Sequence, residues 1–247
     1  MNQRGFSSIM LMGSLVIAFC LSLCAPARGE APVLKAGVLD FPPYYIVKNE
    51  NDVRGSLAEV IRKVLDRAGY TYVLNGYPPK RLYKNIADGT VQVWLGVGGV
   101  PDYEGKVLYS DIKVEEIEVR LYTLDGKPLL RKMEDLKGKT VILQRGYGYG
   151  GLVSFLEDPR NKITPDYTDG HELAFKKLLK GRAEYLMDYR QPADAVISKE
   201  RLSGVKSIPM KTLGVHFIVS KKAPDAENLL KKIDAAYLAL KKEGAFK

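Results

Sequence analysis

The sequence predicts an α/β protein of two small lobes, each a mainly parallel sheet flanked by helices. Three observations predict it. Short apolar strands alternate with amphipathic helices from residue 33 onward, the alternation restarts near residue 117, and extended segments join the two runs. A chain of 247 residues has the length for one large domain or two small ones.

The first segment stands outside that pattern. Arg4 supplies a basic start, and residues 11–24 (LMGSLVIAFCLSLC) form an apolar run shorter than the ~20 residues a bilayer needs. Ala25-Pro26-Ala27 then offers small side chains for cleavage, so residues 1–27 read as a secretory signal peptide. A retained anchor is one alternative. A lipoprotein signal at Cys24 is another, against which Leu23 is large for the position before the cysteine. Both cysteines, Cys20 and Cys24, leave with the signal. The exported chain then has no disulfide, no thiolate metal site and no thiol nucleophile, and its core rests on packing.

In the first unit, residues 33–39 form a short apolar strand that ends in FPPYY. Ser56 and Glu59 have capping-box spacing, and Leu57, Val60, Ile61, Val64, Leu65 and Ala68 recur at helical intervals up to Gly69. A strand over residues 71–74, a short helix over 80–87 closed by Gly89, and a buried strand over 91–97 complete a βαβαβ run. In the second, residues 117–124 are extended, 125–128 (DGKP) turn, and 133–136 lead into a strand over 140–144. A Gly-Tyr segment opens a helix over 151–157. Residues 169–172 open a capped helix with Leu173, Leu178 and Leu179 inward and Gly181 at its end. Strands over 184–188 and 215–219 follow, and Asp225 caps a last helix bearing Leu229, Leu230, Ile233, Ala236, Tyr237 and Leu240.

The 38 Lys and Arg against 29 Asp and Glu give a formal charge of +9. The lysines are spread over predicted helix faces rather than gathered on one, which argues against a nucleic-acid partner. No apolar stretch after residue 27 is long enough to cross a membrane. Ligands of open α/β sheets sit beyond the carboxyl ends of the strands. Here those ends are residues 40–45, 96–103, 144–150 and 188–190.

Six blocks in order carry a resemblance: GVLDFPPYYI, GSLAEVIRKVLDRAGY, LYKNIADGTVQVWLGVGGVPDY, LKGKTVILQRGYGYG, LLKGRAEYLMD and LGVHFIVSKKAPD with the last helix. Together they resemble the family 3 periplasmic solute-binding proteins, the polar amino-acid-binding subunits of ABC importers, over nearly all of the chain after the signal. The resemblance implies the type II periplasmic binding protein fold with a two-strand hinge. The first lobe is then made from both ends of the chain, residues 28–122 and 206–247, with residues 123–205 forming the second. It further implies capture of a small molecule in the periplasm by hinge closure, a monomer, no cofactor or metal, and an ABC permease or membrane receptor as partner.

Family members hold an amino acid between a first-lobe Arg, backbone N–H groups opening a second-lobe helix, and a late second-lobe Asp. Asp188 matches that Asp, Phe41 and Tyr44 match the aromatic loop after Asp40, and Tyr77 falls where another stacking ring lies. The carboxylate site departs from the pattern. Thr-Pro-Glu-Arg is replaced by Val100-Pro101-Asp102-Tyr103, which places Tyr103 or Glu104 where Arg is expected. Glycines, Gly98 among them, replace the hydroxyl residues before it, and Gly146-Tyr147-Gly148 replaces Gly-Thr-Thr. Tyrosine cannot replace a bidentate Arg–carboxylate pair. The implied ligand is therefore not a standard α-amino acid. Tyr44, Tyr77, Tyr103, Tyr147 and Tyr149 beside Trp94 suit a planar, cationic or hydroxylated ligand, with Arg81 or Arg145 as a relocated anion site.

Two other classes are weighed. Gly146, Gly148 and Gly151 match a dinucleotide fingerprint formally, but they start the second unit of an exported chain. Cyclohexadienyl dehydratases resemble the same binding proteins with an acid added in the cleft. Asp102, Glu104 and Asp188 are candidates for that acid, and none is singled out. His171 and His216, in different units, are poorly spaced for a metal.

Overall fold

The computed structural model describes residues 33–246. The expected signal peptide and both cysteines lie outside the described residues. Among the described residues no helix is long and apolar enough to cross a membrane.

One curled nine-stranded sheet carries the chain. Strands β1 (Leu34–Val38), β4 (Tyr72–Gly76) and β5 (Val93–Val97) are parallel, linked by α1 (Ser56–Arg67) and α2 (Pro79–Asp88). Strands β8 (Thr140–Gln144), β9 (Thr164–Thr168) and β10 (Tyr185–Tyr189) make a second parallel set, with α4 (His171–Leu179) crossing from β9 to β10. Between the two sets run the antiparallel strands β7 (Glu115–Leu124) and β11 (Val205–Ser220), which belong to both halves. The C-terminal part of β11 pairs with β5 and with β6 (Val107–Tyr109), and β7 pairs with β10. A hairpin of β2 (Ile46–Asn49) and β3 (Asp52–Arg54) stands apart. Helix α5 (Arg190–Lys199) follows β10, α6 (Ala226–Lys242) closes the chain, and α3 (Val153–Leu156) is a single turn.

The strands next to the candidate site read as interior strands. All five residues of β5 (VWLGV) are buried, as are all five of β10 (YLMDY), as expected where helices cover both faces of a parallel sheet. Helix α1 buries Leu57, Ala58, Ile61, Val64 and Leu65, and Gly69, at φ +78, turns the chain out of it.

Several local expectations are corrected. Ser56 makes no capping bond, because Gly55 is the N-cap and Ser56 already lies inside the helix; Glu59 turns instead to Arg62 at 2.8 Å. Asp225 accepts from Asn228 Nδ2 at 2.9 Å rather than from the backbone of α6. Gly170, not a polar side chain, caps α4, and Asp169 pairs with Arg145. Leu178 is buried, but Leu173 and Leu179 are exposed, since the inward stripe of α4 is His171, Ala174, Phe175 and Leu178. The helix expected over residues 151–157 is a 3₁₀ turn, Tyr149–Gly151, followed by the short α3.

Candidate functional site

The carboxyl ends of β1, β5, β8 and β10 converge where the two halves of the sheet face each other. After β1 the FPPYY loop closes on itself. Phe41 N–H donates to Tyr45 O, and Tyr45 N–H donates to Phe41 O, both at 2.9 Å. That closure turns Phe41 and Tyr45 toward β5. Tyr45 Oη then donates to Leu95 O at 2.6 Å. From the other half come Tyr147, after β8, and Tyr189, the last residue of β10. The Phe41 ring meets Tyr189 edge-on at 4.9 Å and Tyr147 at 6.2 Å. Tyr147 Oη donates to Asp40 O at 2.8 Å, and Gly99 approaches Gly150 so closely that a Cβ on it would lie 3.1 Å from the Gly150 carbonyl. The two halves are in contact.

Between them lies a cavity of about 40 Å³. Phe41, Tyr45, Tyr83, Trp94, Tyr147 and Tyr189 wall it, with aliphatic side chains and Gly96 completing the lining and no charged or amide side chain taking part. Trp94 and Gly96 share one face of β5. A Cβ on Gly96 would fall 2.2 Å from Cε2 and Cζ2 of the Trp94 indole, so only glycine lets the ring lie there. The indole packs on Tyr83 and Tyr103 at ring separations of 5.8 and 5.7 Å. Its Nε1–H is buried and has no partner. A buried donor left unsatisfied costs about 1–3 kcal/mol.

The residues singled out from sequence separate into three groups. Phe41 and Tyr147 wall the cavity. A separate pocket of about 450 Å³, sharing Tyr147 with the cavity, collects Asp40, Tyr77, Arg81, Arg145 and His171. There the Asp40 carboxylate accepts from Val47 N–H at 2.9 Å, and Arg145 is paired with Asp169 at 3.0 Å. The third group serves packing. Tyr103 is fully buried and donates its hydroxyl to Val97 O, and burial raises its phenol pKa well above the usual value. Gly98 borders a separate groove beside Tyr109, Gly148 sits against Val100, and Tyr44 stacks on Phe41 at 5.9 Å without reaching the cavity.

Asp188 lies on β10 with no exposed surface. Its carboxylate faces His171 Nδ1 at 2.8 Å and accepts from Gln144 Nε2 at 3.3 Å and Tyr189 N–H at 2.8 Å. Gln144 in turn accepts from Gly170 N–H at 3.0 Å through Oε1. The carboxylate thus has three protein partners and no exposed surface. Its charge still acts on the surrounding rings: burial first, then Asp188, pushes the phenols of Tyr147 and Tyr149 well above the usual tyrosine range.

Comparison with solved structures bears on this arrangement. The substrate-binding protein of an amino-acid ABC transporter superposes with a TM-score of 0.67 at 19% identity, covering 87% of this chain and 95% of that one. An ancestral arginine-binding protein bound to arginine gives 0.69 at 20% identity, covering 87% and 94%. The chain has the two-lobed periplasmic binding protein fold. A histidine kinase sensor domain similar to periplasmic binding proteins has the same fold, with a TM-score of 0.70 at 19% identity over 87% of this chain and 92% of that one. No family model and no curated protein matches the chain.

Within this binding-protein fold, sequence reasoning undervalued Tyr45, Tyr83, Trp94 and Tyr189, which wall the cavity, and His171, which holds Asp188. Alternation along β5 carries a usable signal for Trp94: it and Gly96 are two residues apart and share a face. Nothing in the local sequence pairs His171 with Asp188, which are 17 positions apart.

Proposed function

We propose that the protein is an exported solute-binding protein that captures a small molecule between its lobes by hinge closure and delivers it to a membrane permease or receptor. The observation that carries this reading is a cavity walled by rings from both halves, Phe41 and Tyr45 on one side and Tyr147 and Tyr189 on the other, bridged by Tyr147 and Asp40. Strands β7 and β11 are the hinge, since among the described strands they are the ones that run through both halves. The lobes divide near residues 28–122 with 206–247, and 123–205. Pairing of Val119–Tyr122 with β10 moves the first crossing a few residues toward the N-terminus. Standard α-amino acids are not the ligand on this reading. The matched Asp188 is occupied by His171, Gln144 and the Tyr189 N–H, and neither Tyr103, whose hydroxyl is engaged by Val97, nor Glu104 supplies the cation expected at the Arg position.

Capture without chemistry is favoured over a dehydratase, because the cavity lining holds no carboxyl group to act as an acid. A sensing role is the second reading, supported by the likeness to a histidine kinase sensor domain. Small-angle scattering of the protein before and after removal of co-purified solute, with mass spectrometry of what is released, is the test. The radius of gyration is expected to grow on removal and to shrink again when the solute is restored. A radius that stays the same through release and restoration defeats hinge capture. Loss of uptake when the cognate permease is deleted separates transport from sensing.

A further inference from the structure

The solute class follows from what the cavity offers and what it withholds. On the reading that this cleft is the binding site, the geometry points to an uncharged, largely apolar solute carrying one hydrogen-bond acceptor, received by the Nε1–H of Trp94. Neither an amino acid nor a cation fits this description.

Four observations carry it. First, the lining has no charged or amide side chain, so a charged group would lose its hydration without a partner. Second, the hydroxyls of Tyr45 and Tyr147 are engaged by backbone carbonyls at 2.6 and 2.8 Å. Third, no carboxylate lines the cavity to pair with a cation, and Asp188, behind Tyr189, is fully buried and bonded to His171, Gln144 and the Tyr189 N–H. Fourth, Trp94 Nε1 is buried without a partner. It is bonded to the Cε2 that covers Gly96, and both residues line the cavity.

Water is a poor occupant. A cavity of about 40 Å³ admits a water, which needs ~10–15 Å³, but a buried water needs ~2–4 polar partners, and this lining is aromatic and aliphatic with no charged or amide side chain. A carbonyl or ether oxygen needs only the Trp94 donor, and the rest of such a molecule gains from leaving water. The volume describes the lobes in contact, and a hinge lets the walls part around a larger guest.

Trp94 is the one tryptophan of the chain, so its emission reports on the cavity directly. The test titrates the protein, freed of co-purified solute, with four near-isosteric probes: cyclopentanone, methylcyclopentane, cyclopentanecarboxylate and cyclopentylammonium. Cyclopentanone is expected to change Trp94 emission saturably and to bind about 5- to 10-fold more tightly than methylcyclopentane, the effect of one neutral hydrogen bond. The two ions are expected to bind at least tenfold more weakly than the ketone. By calorimetry, Trp94→Phe should reduce the ratio of ketone to hydrocarbon affinity to about one, whatever it does to both affinities together. Equal binding of ketone and hydrocarbon to the unaltered protein overturns the role of the Trp94 donor, with no variant needed. Tighter binding of either ion, or of arginine, overturns the uncharged class while leaving solute capture intact. Failure of the ketone to bind while the co-purified solute still closes the lobes in scattering also overturns the class alone. Failure of both overturns the capture reading with it.

Discussion

Asp188 shows how a single residue can keep its place and lose its openness. It sits at the end of β10, where the sequence places an ammonium-binding carboxylate, but His171, Gln144 and the Tyr189 amide have closed around it. A buried carboxylate needs such donors, and once it has them it has little left for a ligand. Its role in the fold can be measured. Asp188→Ala leaves His171 Nδ1, Gln144 Nε2 and a backbone N–H without their acceptor, so urea unfolding should show a loss of about 2–4 kcal/mol. A loss below ~0.5 kcal/mol, the level of an ordinary surface change, would mean that the carboxylate does not hold this network together. Tyr103 teaches the same lesson from the other side. Its place in the chain suggested the cleft, whereas its ring completes a buried cluster with Tyr83 and Trp94.

At the scale of elements, strands and helices were legible because each satisfies a periodicity. The five buried residues of β5, and the α1 stripe of Leu57, Ile61, Val64 and Leu65, follow directly from apolar spacing. Helix starts were less legible, because a cap depends on where the first helical residue falls, and a shift of one position removes the bond. For α1 this has a direct consequence. Ser56 makes no side-chain cap bond, so Ser56→Ala should change stability by less than about 0.5 kcal/mol, against ~1 kcal/mol for a working cap. Thermal unfolding of the two proteins decides it, and a loss near ~1 kcal/mol would restore the capping role. The β2–β3 hairpin and α5 went unforeseen. The four residues of β2 are mostly exposed and show no alternation, and α5 starts at Arg190 directly after β10 with no turn between.

For the whole molecule, charge is spread over the surface in local pairs, and acid is the condition that reads them. Asp158 caps a 3₁₀ turn and is held by Arg160 at 2.6 Å. The Arg160 side chain and backbone N–H lower its carboxyl to about 2. Because the folded value lies below the unfolded one, this contribution is complete above pH ~4 and is lost as pH falls toward 2. Asp158→Asn keeps a capping oxygen and removes the titration. Its stability curve should therefore be flatter than that of the unaltered protein between pH 4 and 2, and converge with it at the acid end. Parallel curves would show that Asp158 does not contribute to the acid limb.

The alternation of strands and helices, read along the chain, was enough for the α/β class and for most of the strand ends. Those features depend on local spacing, and residues 40–45, 96–103, 144–150 and 188–190 do lie at strand ends. The chemistry of the cleft could not be read that way. It depends on contacts between residues far apart in the chain: His171 on Asp188, Tyr147 on Asp40, and the Trp94 indole lying over the space left by Gly96 and against Tyr103. Matching by position assigned Asp188 and Tyr103 to a ligand. Folding buries both and gives the first His171, Gln144 and a backbone N–H as partners and the second the Val97 carbonyl, because each polar group buried on folding must find a partner.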